Sequence, residues 1–386
     1  MQPHGHPPRL EALTTLRFVA AAMVVFGHGA YEFGLRLGPE AIYAVATALS
    51  FFFVLSGFVL AWNYPALDGA AERRRFLWLR FARVWPMHLL GIAAVLACVS
   101  RATWVAAGID GPLALVLQLA LLHAWVPVVA YLGAFNPLSW TLSVDVFFYA
   151  LFPFLLAPLR RAPLATLAAA LAVSVAGPLI ASAFGASRSD LPADAVNLYA
   201  LDRFFPPSRL AEFVLGMAAA RAFAAYRTRL PRGLTAATAI EVAALAATVA
   251  VAAGMHRVPH LAAYVGPAIA DWASQVGAAP VLACLVVAIA HGRGAIARTL
   301  GTRAGVRLGE WGFGMYLLHI PLLHAVSWPA LSGAIGALPA ALAFGAALLT
   351  ASWAAWALVE VPSRRALVAL YERRVAVAAR AQLPVS

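Results

Sequence analysis

Apolar residues run through this chain in long, nearly unbroken stretches. They show neither the strict alternation of a half-buried strand nor the narrow stripe of a helix lying on a soluble core. Ten runs can be drawn, at residues 13–30, 41–62, 85–100, 140–158, 162–184, 208–225, 234–255, 277–291, 308–328 and 335–361. With about 1.5 Å of rise per residue, roughly 20 apolar residues cross the hydrocarbon of a bilayer, so each run predicts one spanning helix. The expected fold is all-α, a polytopic transmembrane helical bundle of about ten spans. Continuous runs also exclude a transmembrane β-barrel, whose strands alternate between lipid and lumen. An eleventh run, residues 112–129, is left out of the count because of where the charges fall.

All 28 basic residues are arginine, and they are unevenly distributed. The ten-span arrangement puts 20 of them, from Arg9, Arg73–Arg83, Arg160–Arg161, Arg227–Arg232, Arg293–Arg307 and Arg364–Arg380, on one side, with six on the other. Short cytoplasmic loops collect Arg, so that side is expected to be cytoplasmic, with both termini on it and residues 362–386 as a cytoplasmic tail. A full crossing by residues 112–129 would move every later cluster to the wrong side. That run is therefore expected to be re-entrant or to lie at the surface. Residues 1–386 are expected to form a single integral membrane domain, without a cleavable leader, because no basic n-region precedes the first run.

Composition agrees. The 386 residues are 63% apolar and 11% charged, with a mean hydropathy of +0.82, which is far from a soluble domain. A net charge of +12 would suggest nucleic acid in a soluble protein; here it follows from membrane orientation, so the expected partners include membrane lipids and no nucleic acid. Cys98 and Cys284 lie inside apolar runs with no ligand spacing, and neither a metal nor a disulfide framework is expected.

Ionisable groups at bilayer depth cost roughly 2.5–3.5 kcal/mol each on insertion scales, so each needs a partner, a wet cavity or a function. The candidates are Arg17, His28, His88, Asp145, Glu212, Glu241, Glu310, His319, His324 and Glu360. Glu241, Glu310 and Glu360 lie near helix ends, where a structural role is expected. Arg17 and His28 are eleven residues apart, almost three turns, so they share one helix face about 16 Å apart along the axis. A cation near the inner mouth could hold a phosphate, and a deeper imidazole could accept a proton from a hydroxyl. Snorkelling by Arg17 and an interhelical hydrogen bond from His28 would explain the same pair structurally. Arg80 and Arg83, at i and i+3, share a face beside Arg73–Arg75, suited to a polyphosphate or to topology alone. Asp145 could orient His28, grip a sugar hydroxyl or pair with an Arg.

Five segments together resemble the integral membrane acyltransferase family 3, the acyl-CoA-dependent enzymes that O-acetylate surface polysaccharides and some small glycosylated molecules. They are Leu13–His28 with its Arg-x10-His pattern, Phe51–Phe58, Arg80–Pro86 with R-x-x-R, Ser139–Tyr149, and Met315–Pro321 followed by Glu360–Arg365. No single motif is specific, but their order and spacing from Leu13 to Arg365 are. The resemblance implies that His28 is the catalytic base, that Arg17, Arg80 and Arg83 bind the acyl-CoA donor on the cytoplasmic side, and that Asp145 belongs to the catalytic set. The chain departs from the family in having Asp145-Val146 where Glu, often followed by a second Glu, is common.

Trp140, Tyr149, Tyr316 and His319, which lie in the same motifs, are the candidate substrate-binding residues. The expected activity is transfer of an acyl group, acetyl first among candidates, from acetyl-CoA or another acyl-CoA to a hydroxyl of a carbohydrate or glycosylated acceptor, in the bacterial cytoplasmic membrane. The competing reading is a transporter or flippase for a glycan or polar solute, which would not consume acyl-CoA.

Overall fold

Each apolar run becomes a helix because only a helix satisfies its own backbone where no water is at hand. The structure is a computed structural model that describes residues 10–100, 111–186, 195–196 and 198–381. Arg9, Arg101 and Arg188, which enter the charge count, lie outside the described residues, as does the tail beyond residue 381. The long helices are α1 (Glu11–Gly29), α2 (Pro39–Asn63), α3 (Ala70–Cys98), α4 (Trp140–Arg161), α5 (Pro163–Ala183), α6 (Leu210–Tyr226), α7 (Leu234–Gly254), α8 (Pro267–Val276), α9 (Ala279–Ala290), α10 (Arg303–Ala325), α11 (Ala337–Ala355) and α12 (Val361–Ala381). Among the described residues there is no strand, only a lone antiparallel bridge between Val128 and Val196. Among the described residues, eight helical stretches are long and apolar enough to cross a membrane. Two of the ten expected runs are not among them: the α6 stretch carries Arg209, Glu212 and Arg221, and α10 carries Arg303, Arg307 and Glu310 in its first two turns and His319 and His324 further on.

One expectation needs correction. The third run begins not at Trp85 but at Ala70, so Arg73–Arg83 form the first half of a single 29-residue helix that continues through Pro86. The expected tail is helical as far as residue 381. It is α12, docked along α3 through the Trp78 indole N–H, which donates to the Leu367 carbonyl at 2.8 Å, and through stacking of Trp78 on Tyr371.

Residues 112–129 form no single helix. Pro112–Leu119 is eight residues long, about 12 Å, too short to cross. The chain then turns at Leu121, whose φ of 56° is left-handed, and continues through short turns to Pro137. Irregular backbone is tolerated in such a place only when protein satisfies it. Here Ser143 Oγ donates to the Leu121 carbonyl at 2.5 Å, Gln118 donates to Ser139 Oγ and the Asn136 carbonyl, and Asn136 donates to the Leu317 carbonyl. His88 is bonded to the Gln118 carbonyl at 2.8 Å, which gives this buried imidazole a structural place.

Helices approach closely where glycine removes the side chain. A Cβ on Gly57 of α2 would strike the Phe213 carbonyl of α6, and one on Gly216 of α6 would strike the Val54 carbonyl of α2. Gly309 of α10 meets the Thr14 backbone of α1 in the same way, and Gly312 would lie 3.5 Å from Phe18 Cα. Gly305, Gly309, Gly312, Tyr316 and His319 follow one another at spacings of four and three, so they form one face of α10, laid against α1.

Arg209 and Glu212 are 2% and 0% exposed and pair at 2.7 Å, with the Arg209 guanidinium 5.0 Å from the Phe53 ring centre. Glu212, a candidate for chemistry on sequence alone, therefore closes a buried ion pair. Glu212→Ala strands a buried guanidinium and should cost about 3–5 kcal/mol, whereas a well-packed Arg209→Met/Glu212→Leu pair should recover most of it. Unfolding in mixed micelles, followed by circular dichroism, checks both. Glu241 is structural as well: its carboxylate accepts from the backbone N–H groups of Gly294, Ile296 and Ala297 at the start of a short helix.

Candidate active site

The α1–α10 pair sets the site. Both helices start at the Arg-rich end and run side by side, which brings His28, in the last turn of α1, against His319 of α10. His28 Nδ1 lies 2.8 Å from His319 Nε2, with the rings 15° from coplanar. His319 is fully buried, and its Nδ1 lies 2.7 Å from the Tyr316 carbonyl. A carbonyl only accepts, so that network assigns the His319 proton to Nδ1. A neutral His319 then offers Nε2 as an acceptor, and the proton of the shared bond belongs to His28 Nδ1. The lone pair of His28 is thereby left on Nε2, the form needed to take a proton.

His28 is exposed, and it lines an outer cavity of about 290 Å³ with Tyr31, Trp140, Tyr199, Arg203, Phe204 and Tyr316 among its walls. Trp140 is fixed edge-on against Phe53 and Phe204. Arg203 is held in place, donating to Gln275 Oε1 at 3.0 Å and to the Tyr199 hydroxyl at 2.7 Å. One face of this chamber is aromatic and one corner is cationic, and the imidazole lies between them. Such a lining suits a ligand with a ring and several hydroxyls.

An inner cavity of about 120 Å³ enters from the Arg-rich end. Arg17 of α1, Ser56 of α2, Arg80 and Arg83 of α3, and Thr141, Asp145 and Tyr149 of α4 line it, with Tyr316 of α10. Ser56 Oγ donates to Asp145 Oδ1 at 3.3 Å. Three guanidiniums face one carboxylate, a surplus that favours an anionic ligand. Arg80 is caged by aromatic rings, its guanidinium carbon 5.6 Å from the Tyr64 ring centre and 6.0 Å from that of Tyr149, and it donates to the Tyr64 hydroxyl at 3.2 Å.

Leu49 and Tyr316 line both cavities. The Tyr316 hydroxyl accepts from Thr141 Oγ1 at 3.3 Å, which steadies the ring between the chambers. Arg17, Arg80, Arg83, Asp145 and Tyr149 therefore gather on one side of this partition, and His28, Trp140 and His319 on the other.

Of the three roles open to Asp145, the geometry sets one aside. Asp145 does not orient His28: it faces the guanidiniums of the inner cavity, and the group that orients His28 is His319. Sequence reasoning missed Tyr31, Tyr199, Arg203, Ser56 and Thr141. Tyr199 and Arg203 are four residues apart on a short helix, which is a legible pairing, but their approach to His28 depends on helix packing. Glu310 and Glu360, expected to be structural, line a second cavity at the Arg-rich end. His324 is exposed near the other end of α10.

The apolar helical bundle thus encloses a cationic chamber and an imidazole-bearing chamber that meet at Tyr316. A family model described as an acyltransferase domain, Acyl_transf_3, matches residues 10–358, and the chain belongs to this family of integral membrane acyltransferases. Among curated relatives, Acyltransferase MdmB of Streptomyces mycarofaciens is 32% identical over 341 residues, 82% of this chain and 81% of the relative. Protein 2 in picA locus of Rhizobium radiobacter is 38% identical over 93 residues, 24% of this chain and 46% of that protein. No solved structure matches the chain.

Proposed function

We propose that this acyltransferase moves an acyl group, acetyl first among candidates, from acyl-CoA to a hydroxyl of a carbohydrate or glycosylated acceptor. The enzyme would sit in a bacterial cytoplasmic membrane with ten spans and both termini in the cytoplasm. The observation that carries the reading is the meeting of two unlike chambers at Tyr316, one rich in guanidinium at the Arg-rich end and one that holds His28.

In this mechanism the donor enters from the Arg-rich end, with Arg17, Arg80 and Arg83 holding its phosphates and the thin pantetheine arm carrying the thioester toward the partition. The acceptor hydroxyl lies against His28. His28 Nε2 takes the hydroxyl proton as the oxygen attacks the thioester carbonyl, and the His28 Nδ1–H bond to His319 steadies the imidazolium. The tetrahedral intermediate collapses with formation of the ester C–O bond and cleavage of the C–S bond. The proton on His28 leaves with the thiolate as free CoA thiol. Asp145, bonded to Ser56, balances the guanidinium charge beside the donor arm.

The test uses inside-out membrane vesicles supplied with radiolabelled acetyl-CoA. The expected result is release of CoA thiol and transfer of label to a hydroxyl-bearing acceptor, both dependent on the protein. Movement of a polar solute with no consumption of acyl-CoA would establish the transporter reading instead.

A further inference from the structure

The inner cavity is too small to hold a nucleotide. Pockets that take drug-sized ligands run to roughly 300–1,000 Å³, and the inner cavity has about 120 Å³. A second cavity of about 820 Å³ lies next to it at the Arg-rich end, and the two share Arg17, Arg83 and Phe313. The far wall of this wider cavity is formed by the C-terminal helix α12, through Arg364 and Arg365, with Glu360 and Glu310 beside them. Arg364 and Arg365 are exposed. None of Arg17, Arg83, Arg364 and Arg365 makes an ion pair among the described residues. Four guanidiniums and three carboxylates, Glu310, Glu360 and Glu372, thus line one space, and none of these four guanidiniums is closed into an ion pair by contact.

The wall is positioned by specific contacts. Where α11 passes into α12, residues Trp356–Glu360 form a π-helical turn, and the Val361 N–H bonds to the Trp356 carbonyl five residues back. Pro362, which follows, has no N–H to give to the Leu358 carbonyl, so regular α-helical bonding could not pass through this point unbroken. Such bulges occur often at functional sites. The turn leaves Glu360 Oε2 buried with no hydrogen-bond partner beside the cavity. Beyond it, α12 is tied to α3 by the Trp78–Leu367 hydrogen bond, the Trp78–Tyr371 stack and an Arg75–Glu372 pair at 3.8 Å. Arg364 and Arg365 come just before these ties, so they are held across from Arg83 rather than left on a free tail.

We propose that α12 supplies a second phosphate site, in which Arg364 and Arg365 grip the terminal phosphate monoester on the nucleotide end of the donor while Arg17 and Arg83 mark the throat into the narrow cavity. This rests on the acyl-CoA reading given above. The guanidinium fork suits phosphate oxygens. A charged chamber of about 820 Å³ that adjoins a cavity of about 120 Å³ suits a molecule with a bulky phosphorylated head and a thin tail. An anionic lipid offers the same phosphate chemistry from a different source, and the test separates the two.

Full-length protein in neutral detergent is titrated calorimetrically with CoA and with 3′-dephospho-CoA. Wild type is expected to prefer CoA by roughly tenfold. R364Q/R365Q should lose that preference by weakening CoA alone, and R364K/R365K should restore part of it. If R364Q/R365Q is not monodisperse, the wild-type preference and its reduction in the lysine pair decide the matter. Equal affinity of wild type for the two compounds would overturn the phosphate site and leave the donor reading intact. Binding of neither compound by wild type would overturn the donor reading as well. Repeating the titrations in nanodiscs with and without phosphatidylglycerol gives the last arm: loss of lipid binding in R364Q/R365Q, with an unchanged preference for CoA, would assign the site to lipid and overturn the nucleotide assignment.

Discussion

His28→Ala should lower turnover by about 10²- to 10⁴-fold, the usual contribution of a general base, while the protein still inserts and still binds CoA. The size follows from the single lone pair that the hydrogen-bond network leaves facing the outer cavity. Alanine offers no proton acceptor there, and Asp145 lies across the partition with its carboxylate turned to Ser56 and the guanidiniums. His319 works through His28, and its loss should be milder. His319→Ala removes the acceptor of the His28 Nδ1–H and frees the ring to change tautomer. A hydrogen bond to a charged group is worth about 1.5–3 kcal/mol, so kcat should fall roughly 10- to 100-fold with little change in donor KM. His319→Gln, whose amide oxygen can accept the same bond, should regain part of the loss. Donor-dependent kinetics in vesicles read all three variants. Wild-type turnover in His28→Ala would remove the base from the mechanism, and equal kcat in the Ala and Gln variants of His319 would remove the tautomer argument.

The second large effect lies far from the chemistry. Gly309→Leu places a side chain where the Thr14 carbonyl of α1 now sits, so α1 and α10 must move apart. Overpacking of this kind costs about 1–3 kcal/mol in cores, and a 1 Å misplacement of reacting groups can cost about 10²-fold in rate. The His28–His319 contact of 2.8 Å bridges these same two helices, so it should be lost along with the close approach. The expected phenotype is a lowered melting temperature in detergent together with activity close to that of His28→Ala. Gly345→Leu is the control, because a Cβ at that position of α11 meets nothing within 4 Å. Normal stability and normal turnover in Gly309→Leu would show that helix approach does not position the pair.

Much of this architecture is legible in one dimension. The apolar runs mark the long helices because hydrocarbon demands an internally bonded backbone, and the Arg17–His28 spacing gives a charge and an imidazole on one helix face whatever surrounds them. Even the Gly305-Gly309-Gly312 stripe can be read, since small residues at spacings of four and three announce a close helix contact. Boundaries were less legible where charge interrupts hydropathy. The start of α3 hides among Arg73–Arg83, and the docking of α12 on α3 is not legible because it rests on three side-chain contacts rather than on a long apolar face. Residues 112–129 read as a possible span because periodicity cannot show that Leu121 turns the backbone or that Gln118, Asn136 and Ser143 satisfy what the turn exposes.

The sequence by itself determined that this chain lies in a membrane, which way its arginines bias it, and which side chains are too polar for lipid and must therefore be shielded or employed. These follow from local physics: backbone hydrogen bonding, the rise of a helix and the cost of charge at depth. Only the tertiary structure decided which of those side chains share a space. It set His319, not Asp145, beside His28, and it gave Glu212 to Arg209. It placed Tyr316 as the wall between two chambers and brought Arg364 within reach of the cavity that Arg17 lines. Such neighbours come from helices far apart in the chain, and their meeting depends on where glycine lets two backbones touch.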